Sequence, residues 1–141
     1  MTGAGTARGT LFTPESANRA LPYVRAIVED LVEATARSKK SGRTRRRPKG
    51  DEAAADDERR RADEEAARAK SDCVRLLREL EAVGVVVKDS ETGLIDFPGE
   101  IAGRRVLLCW RRGEDRVAHW HDLSSGFRGR RPIDPADSGS A

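Results

Sequence analysis

Two apolar stripes decide most of what this 141-residue chain can fold into. Ala17, Leu21, Val24, Val28, Leu31 and Thr35 follow one another at spacings of 4, 3, 4, 3 and 4, with Ile27 and Val32 widening the band. Ala62, Ala66, Ala69, Cys73, Leu76, Leu80 and Val83 repeat the pattern at 4, 3, 4, 3, 4 and 3. Alternating threes and fours keep one side of a helix apolar, so the spacing predicts helices over about 14–38 and 52–83. Joined by one loop, they should pack antiparallel as a helical hairpin resembling a short coiled coil. Thr13-Pro14-Glu15 supplies an N-cap, a proline at the first helical position and an acid favoured by the helix dipole. Pro22 removes a backbone donor and predicts a kink or restart near Ala20–Leu21. Gly84 stands where a left-handed C-terminal cap belongs. The second stripe begins with alanines where leucines would be expected, so that end should pack weakly or closely and fray.

Between the stripes the charge pattern changes. Arg37 to Lys49 holds eight basic residues and no acidic one, whereas Asp51 to Lys70 holds eight acidic against five basic. Periodicity stops at Ser38, and Ser41 to Gly50 reads as a flexible, self-repelling linker, placed at 39–50. The net charge is +3 and arginine outnumbers lysine 22 to 5. A basic patch is the usual footprint of nucleic acid, but an Arg- and Ala-rich composition also follows from coding bias alone. Met1 to Thr10 lacks the apolar core of a secretory signal. No apolar run approaches the roughly 20 residues that span a bilayer. Cys73 and Cys109 fall in a helix and a strand, which suits reduced thiols rather than a disulfide framework. The expectation is a soluble cytoplasmic protein without membrane contact.

After Gly84 the apolar pattern shortens. Val85-Val86-Val87, Leu94 to Phe97 ending at Pro98-Gly99, Arg105 to Arg111, and Arg116 to His121 read as four antiparallel strands over about 85–121, the last two flanking a Gly113-Glu114-Asp115 turn. A small sheet needs cover on one face, and the helical hairpin is the cover available. The expected architecture is therefore α+β: one domain over 12–133, an N-terminal antiparallel helical hairpin packed on a small C-terminal antiparallel sheet. Gly126 to Ile133 reads as a loop or extended segment, with residues 1–11 and 134–141 disordered.

Several strings in order carry a family resemblance: Phe12 to Pro22, Gly84 to Asp89, Gly93-Leu94-Ile95-Asp96-Phe97, Leu108-Cys109-Trp110-Arg111, Gly113-Glu114, Trp120-His121 and Gly126 to Ile133. Together they resemble an uncharacterised bacterial family known only as the domain of unknown function numbered 2203, over about Phe12 to Ile133. The resemblance implies no activity. The basic stretch Ser38 to Gly50 looks like an elaboration of the loop between the helices, and position 119 in that family is commonly another residue, often aromatic.

Chemistry-bearing side chains concentrate in one place. Both tryptophans, both histidines and one of two cysteines lie within Cys109 to His121, in a chain with only six aromatic residues. Cys109, Trp110, Glu114, Trp120, His121 and Arg130 form the candidate functional cluster, with Glu114 and Arg130 as a structural ion pair or as partner contacts. No catalytic residue is assigned; a Cys109 nucleophile with His121 as base conflicts with mid-strand burial. The leading expectation is a non-catalytic protein-interaction or self-associating module with no cofactor, since exposed apolar edges invite partners. A nucleic-acid reading would use Arg43, Arg45, Arg46, Arg47 and Lys49 of the linker with Arg128, Arg130 and Arg131 around Phe127, and exposed tryptophans for stacking. A metal reading would use His119 and His121, which share a strand face about 7 Å apart, with Cys109 if it pairs with residue 119 and Asp96 from the next strand. Such a set suits zinc or iron, but a slip of one residue would carry Cys109 to the other face. The simpler alternative makes Cys109 a small buried strand residue and His121 a hydrogen-bonded core or edge histidine.

Overall fold

The computed structural model describes residues 11–45 and 52–138. Two long helices, α1 (Pro14–Arg45) and α2 (Glu52–Val83), precede one sheet of five strands. These are β1 (Val86–Asp89), β2 (Leu94–Ile101), β3 (Arg104–Arg111), β4 (His119–His121) and β5 (Arg131–Pro132), antiparallel and in chain order across the sheet. Thr35 of α1 meets Cys73 of α2, while Arg37 reaches back to Glu65. As α1 advances α2 therefore recedes, which is the expected antiparallel hairpin.

Both helix ends are built as the sequence indicates. Thr13 Oγ1 accepts the Ser16 amide at 3.0 Å and the Thr13 amide donates to Ser16 Oγ at 2.9 Å. This reciprocal box satisfies two amides at the α1 start. Gly84 takes φ 100°, its amide donating to Glu81 and that of Val85 to Leu80. That is the paired closure in which a glycine ends a helix. Across Pro22 the helix is continuous, so no restart occurs there.

The stripes meet the sheet. Ala17, Leu21, Val24, Val28 and Leu31 of α1, with Leu76 and Leu80 of α2, pack against Ile95, Phe97, Val106, Leu108 and Trp110. Both tryptophans belong to this face: Trp120 pairs with Leu108, two residues before Trp110. Beyond Leu31 and Leu76 the hairpin interface is made of small residues, Ala34 and Ser41 facing Ala55, Ala62 and Ala69, all buried.

Four expectations need correction. First, α1 does not end at 38 but runs to Arg45, shortening the linker. Ser41 is one heptad beyond Ala34 and small enough to continue the close interface. Arg37 is held by Glu33 on its own helix and by Glu65 and Asp72 on α2. The basic and acidic stretches therefore pair here, and the hydrogen bond from Arg37 holds the Asp72 carboxyl below its ordinary range. Second, β2 continues through Pro98 and Gly99 to Ile101. Its partner β1 pairs only as far as Asp96; beyond it β2 is met by Phe12, which donates to the Pro98 carbonyl and asks no donor of the proline. Third, the segment after β4 adds a short 3-10 turn, Phe127–Gly129, and a fifth strand, while the fourth strand is shorter than Arg116 to His121. Fourth, residues 135–138 of the expected tail form a helical turn, α3 (Pro135–Ser138). Asp134 caps it through the Ala136 amide at 3.0 Å, an Asp-Pro start of the same kind as Thr13-Pro14. Residues 1–10 and 139–141, expected to be disordered, lie outside the described residues.

Gly99 shows why the N-terminal strand contact exists. The Phe12 amide donates to Pro98 and the Glu100 amide to Phe12, a parallel bridge across Gly99. A Cβ at Gly99 would lie 2.3 Å from the Phe12 carbonyl oxygen and 2.9 Å from Leu108. Only glycine admits this approach, since the clashing group is backbone.

Candidate metal centre

The sheet face turned away from the helices carries the chemistry. Asp96 pairs with Cys109, Cys109 with His119, and Leu107 with His121. Side chains paired across antiparallel strands share a face, so Asp96, Cys109, His119 and His121 all stand on this one. This is the register that brings Cys109 and the histidines together. Three of the four converge. One ligand atom each from Asp96, Cys109 and His121 lie within 4.8 Å of one another, and all three residues are buried.

The protein fixes each of them. His121 Nδ1 lies 2.8 Å from the Asp122 carbonyl oxygen; a carbonyl only accepts, so Nδ1 carries a proton and donates it. That leaves Nε2 facing both Asp96 oxygens at 3.2 Å. A neutral imidazole would set a lone pair against two carboxylate oxygens, so this contact requires a shared proton or a cation. Cys109 is fully buried, and burial followed by the Asp96 charge pushes its thiol up to about 11. This is the opposite of an activated nucleophile. Arg130 Nη1 donates to Cys109 Sγ at 3.9 Å.

Arg130 is placed in turn by Glu114, whose carboxylate takes both of its terminal nitrogens and the Arg111 amide at 2.9 Å. Burial raises the Glu114 carboxyl, but the Arg130 hydrogen bond and the Arg111 amide outweigh it and hold it below the usual range. The Glu114 carbonyl accepts the Trp110 indole N–H at 3.0 Å. Five of the six residues of the candidate cluster therefore connect; Trp120 is flanked instead by Arg104 and Arg131 at 5.2 and 5.0 Å.

His119 stands apart. Its ring is not among the converging ligand atoms, and Nδ1 is buried with no hydrogen-bond partner. The segment after β4 covers the face: Leu123, Ser125, Gly126 and Phe127 close a cavity of about 80 Å3 whose floor includes Asp96, Cys109 and His121. Phe127 is held under the Arg130 guanidinium at 4.4 Å.

The residues of the nucleic-acid reading divide between two places. Arg43 is exposed on α1 and Arg45 is its last residue; Arg46, Arg47 and Lys49 lie outside the described residues. Arg128 is exposed after β4, whereas Arg130 is committed to Glu114 and Arg131 sits over Trp120. Arg43 is 12 positions beyond Leu31, about 18 Å along the helix axis. Trp110 is fully buried, which leaves no face to stack on a base.

Sequence reasoning missed Asn18. Its side-chain amide donates to the Val117 carbonyl at 3.0 Å and accepts the Val117 amide at 2.8 Å. The pair ties α1 to the loop entering β4, as a neighbouring strand would. Nothing in the local pattern marks it, because its partner is 99 positions away. No described helix is long and apolar enough to cross a membrane.

The profile of one family, described as "Uncharacterized conserved protein (DUF2203)", matches residues 10–133. No curated protein and no solved structure matches the chain.

Proposed function

Because this chain belongs to the DUF2203 family, whose description assigns no activity, we propose a function from its own chemistry: it binds one transition-metal ion, zinc foremost, through Asp96, Cys109 and His121. One observation carries this reading, the convergence of a carboxylate, a thiol and an imidazole on a buried point. Sulfur, nitrogen and oxygen donors of these types are zinc's usual set, with iron the next candidate. In a tetrahedral site with bonds of about 2.0–2.3 Å, ligand atoms lie about 3.3–3.8 Å apart. The Asp96–His121 contact, at 3.2 Å, lies just under that span, and all three ligand atoms lie within 4.8 Å of one another.

The surroundings fit as well. A ligating histidine ordinarily donates its other ring nitrogen to a carbonyl or carboxylate, which fixes ring and tautomer; His121 does so to Asp122. Metal uptake would expel the Cys109 proton, since the thiolate is the ligand, and Arg130 already donates a hydrogen bond to that sulfur. The strings on which the family resemblance rests supply Asp96, Cys109, Glu114, His121 and Arg130 together.

Elemental analysis of the protein purified without chelator tests the reading. The expected result is one equivalent of zinc or iron per chain, lost in Cys109→Ser and in His121→Ala while the far-ultraviolet dichroism is retained. Absence of metal from both the purified and the zinc-reconstituted protein would sink it, and Asp96–His121 would then be a proton-sharing structural pair.

Self-association is a second reading, favoured by the outer edge of β1. That strand is at one end of the sheet order and leaves Val86 exposed, as α2 leaves Val74 and Leu77. An unpaired strand edge with apolar side chains is a template for another chain. Sedimentation equilibrium should then show a dimer that Val86→Lys returns to monomer; a wild-type monomer at every concentration excludes it.

A further inference from the structure

We infer that the metal's fourth position is kept for a small anion admitted from the cavity under the C-terminal segment, with Lys88 at its mouth as the recognising charge; this rests on the metal reading above. Three protein ligands with one position open is the arrangement of metal sites that bind solvent or substrate, whereas closed structural sites use four. Among the described residues only three ligand atoms converge, and the ring of His119, on the same face, is outside the group.

The open side is shaped. The three ligands form the floor of the cavity, and Leu94, Leu107, Leu123 and Phe127 line its walls. The lining holds two charged side chains, Asp96, already a ligand, and Lys88. Size limits the occupant. About 80 Å3 is several times the roughly 10–15 Å3 that one water needs, room for a small anion such as formate, acetate or hydrogencarbonate. Charge favours an anion over a neutral ligand. A divalent ion with the Asp96 carboxylate and the Cys109 thiolate sums to zero, while Lys88 and the Arg130–Glu114 pair together leave one positive charge beside it. Lys88 is exposed, so it acts as a solvated charge that draws an anion toward the metal.

Cobalt(II) substituted into the full chain reads both steps separately. A thiolate-to-cobalt charge-transfer band that is absent in Cys109→Ser reports the metal site itself. Formate, acetate or hydrogencarbonate at constant ionic strength should then shift the cobalt d–d bands saturably. Benzoate, too large for the cavity, should leave them unchanged. Lys88→Ala should weaken the anion about fivefold, the scale of an exposed charge pair, with the charge-transfer band intact. Bands unmoved by every small anion, equal binding of benzoate, or anion affinity unchanged in Lys88→Ala would each overturn the inference and leave the metal reading standing. Loss of the tetrahedral spectrum in His119→Ala would overturn it too, by making His119 the fourth ligand. No charge-transfer band at all would remove both.

Discussion

Trp110→Ala should lower unfolding stability by about 3–5 kcal/mol, the range for aromatic truncation in a packed core. Trp110 is the largest fully buried side chain among the described residues. Its ring packs in the cluster shared by α1, α2 and the sheet. Its indole N–H donates to the Glu114 carbonyl, and the Arg25 guanidinium lies over it at 5.9 Å. Truncation therefore opens a cavity and leaves a half-buried carbonyl short of a donor. Against a typical domain stability of about 5–15 kcal/mol, the loss is a large fraction of the whole. Urea titration followed by far-ultraviolet dichroism measures it, with Trp110→Phe as the control that keeps an aromatic ring while removing the indole N–H and part of the buried volume. A cost below about 1 kcal/mol for Trp110→Ala would mean the hairpin does not anchor the core, because that falls under any buried aromatic deletion.

Leu31→Ala and Leu76→Ala are each expected to cost about 2–5 kcal/mol. Leu31 is 1% exposed and Leu76 3%, one from each helix, and both belong to the cluster beneath the sheet. The residual cavity decides where in that range each falls, since side chains locked between two helices and a sheet relax less than those at an edge. Because they share one cluster, the double variant should depart from additivity. Losses below half a kcal/mol at both positions would contradict the core assignment, being the size of an ordinary surface change.

The elements that could be read in advance are those whose signal is local. The stripe from Ala17 to Leu31, the Thr13-Pro14 start and the Gly84 stop each lie within a few residues of their cause. The helix-on-sheet architecture follows because no other element could cover the strands. Boundaries that depend on a distant partner could not be read. Helix α1 extends to Arg45 because Ser41 and Arg37 meet α2, and β2 passes through Pro98 because Phe12 lies alongside it. The site was legible to the level of its residue types and face. Whether Cys109 would join His121 depended on the β3–β4 register, which the turn alone does not fix. Long-range contacts such as Asn18 with Val117 hold the segment entering β4. The cover supplied by Leu123, Ser125 and Phe127 had no sequence signal, since Gly- and Ser-rich segments are usually solvated.

The helical hairpin outruns the sheet that supports it. Each helix has 32 residues, about 48 Å at 1.5 Å per residue, while the longest strands have eight, about 27 Å. Beyond Lys39, whose ammonium still reaches Glu91 in the β1–β2 turn, the described part of the hairpin is held by methyl-sized contacts between the helices and by exposed ion pairs that contribute little apiece. The far end can therefore separate and re-form without disturbing the Asp96–Cys109–His121 centre. Amide protons there should exchange on a faster clock than those beside the sheet, so a partner gripping the tip would gain its order at that end alone and leave the ion-binding end as rigid as before.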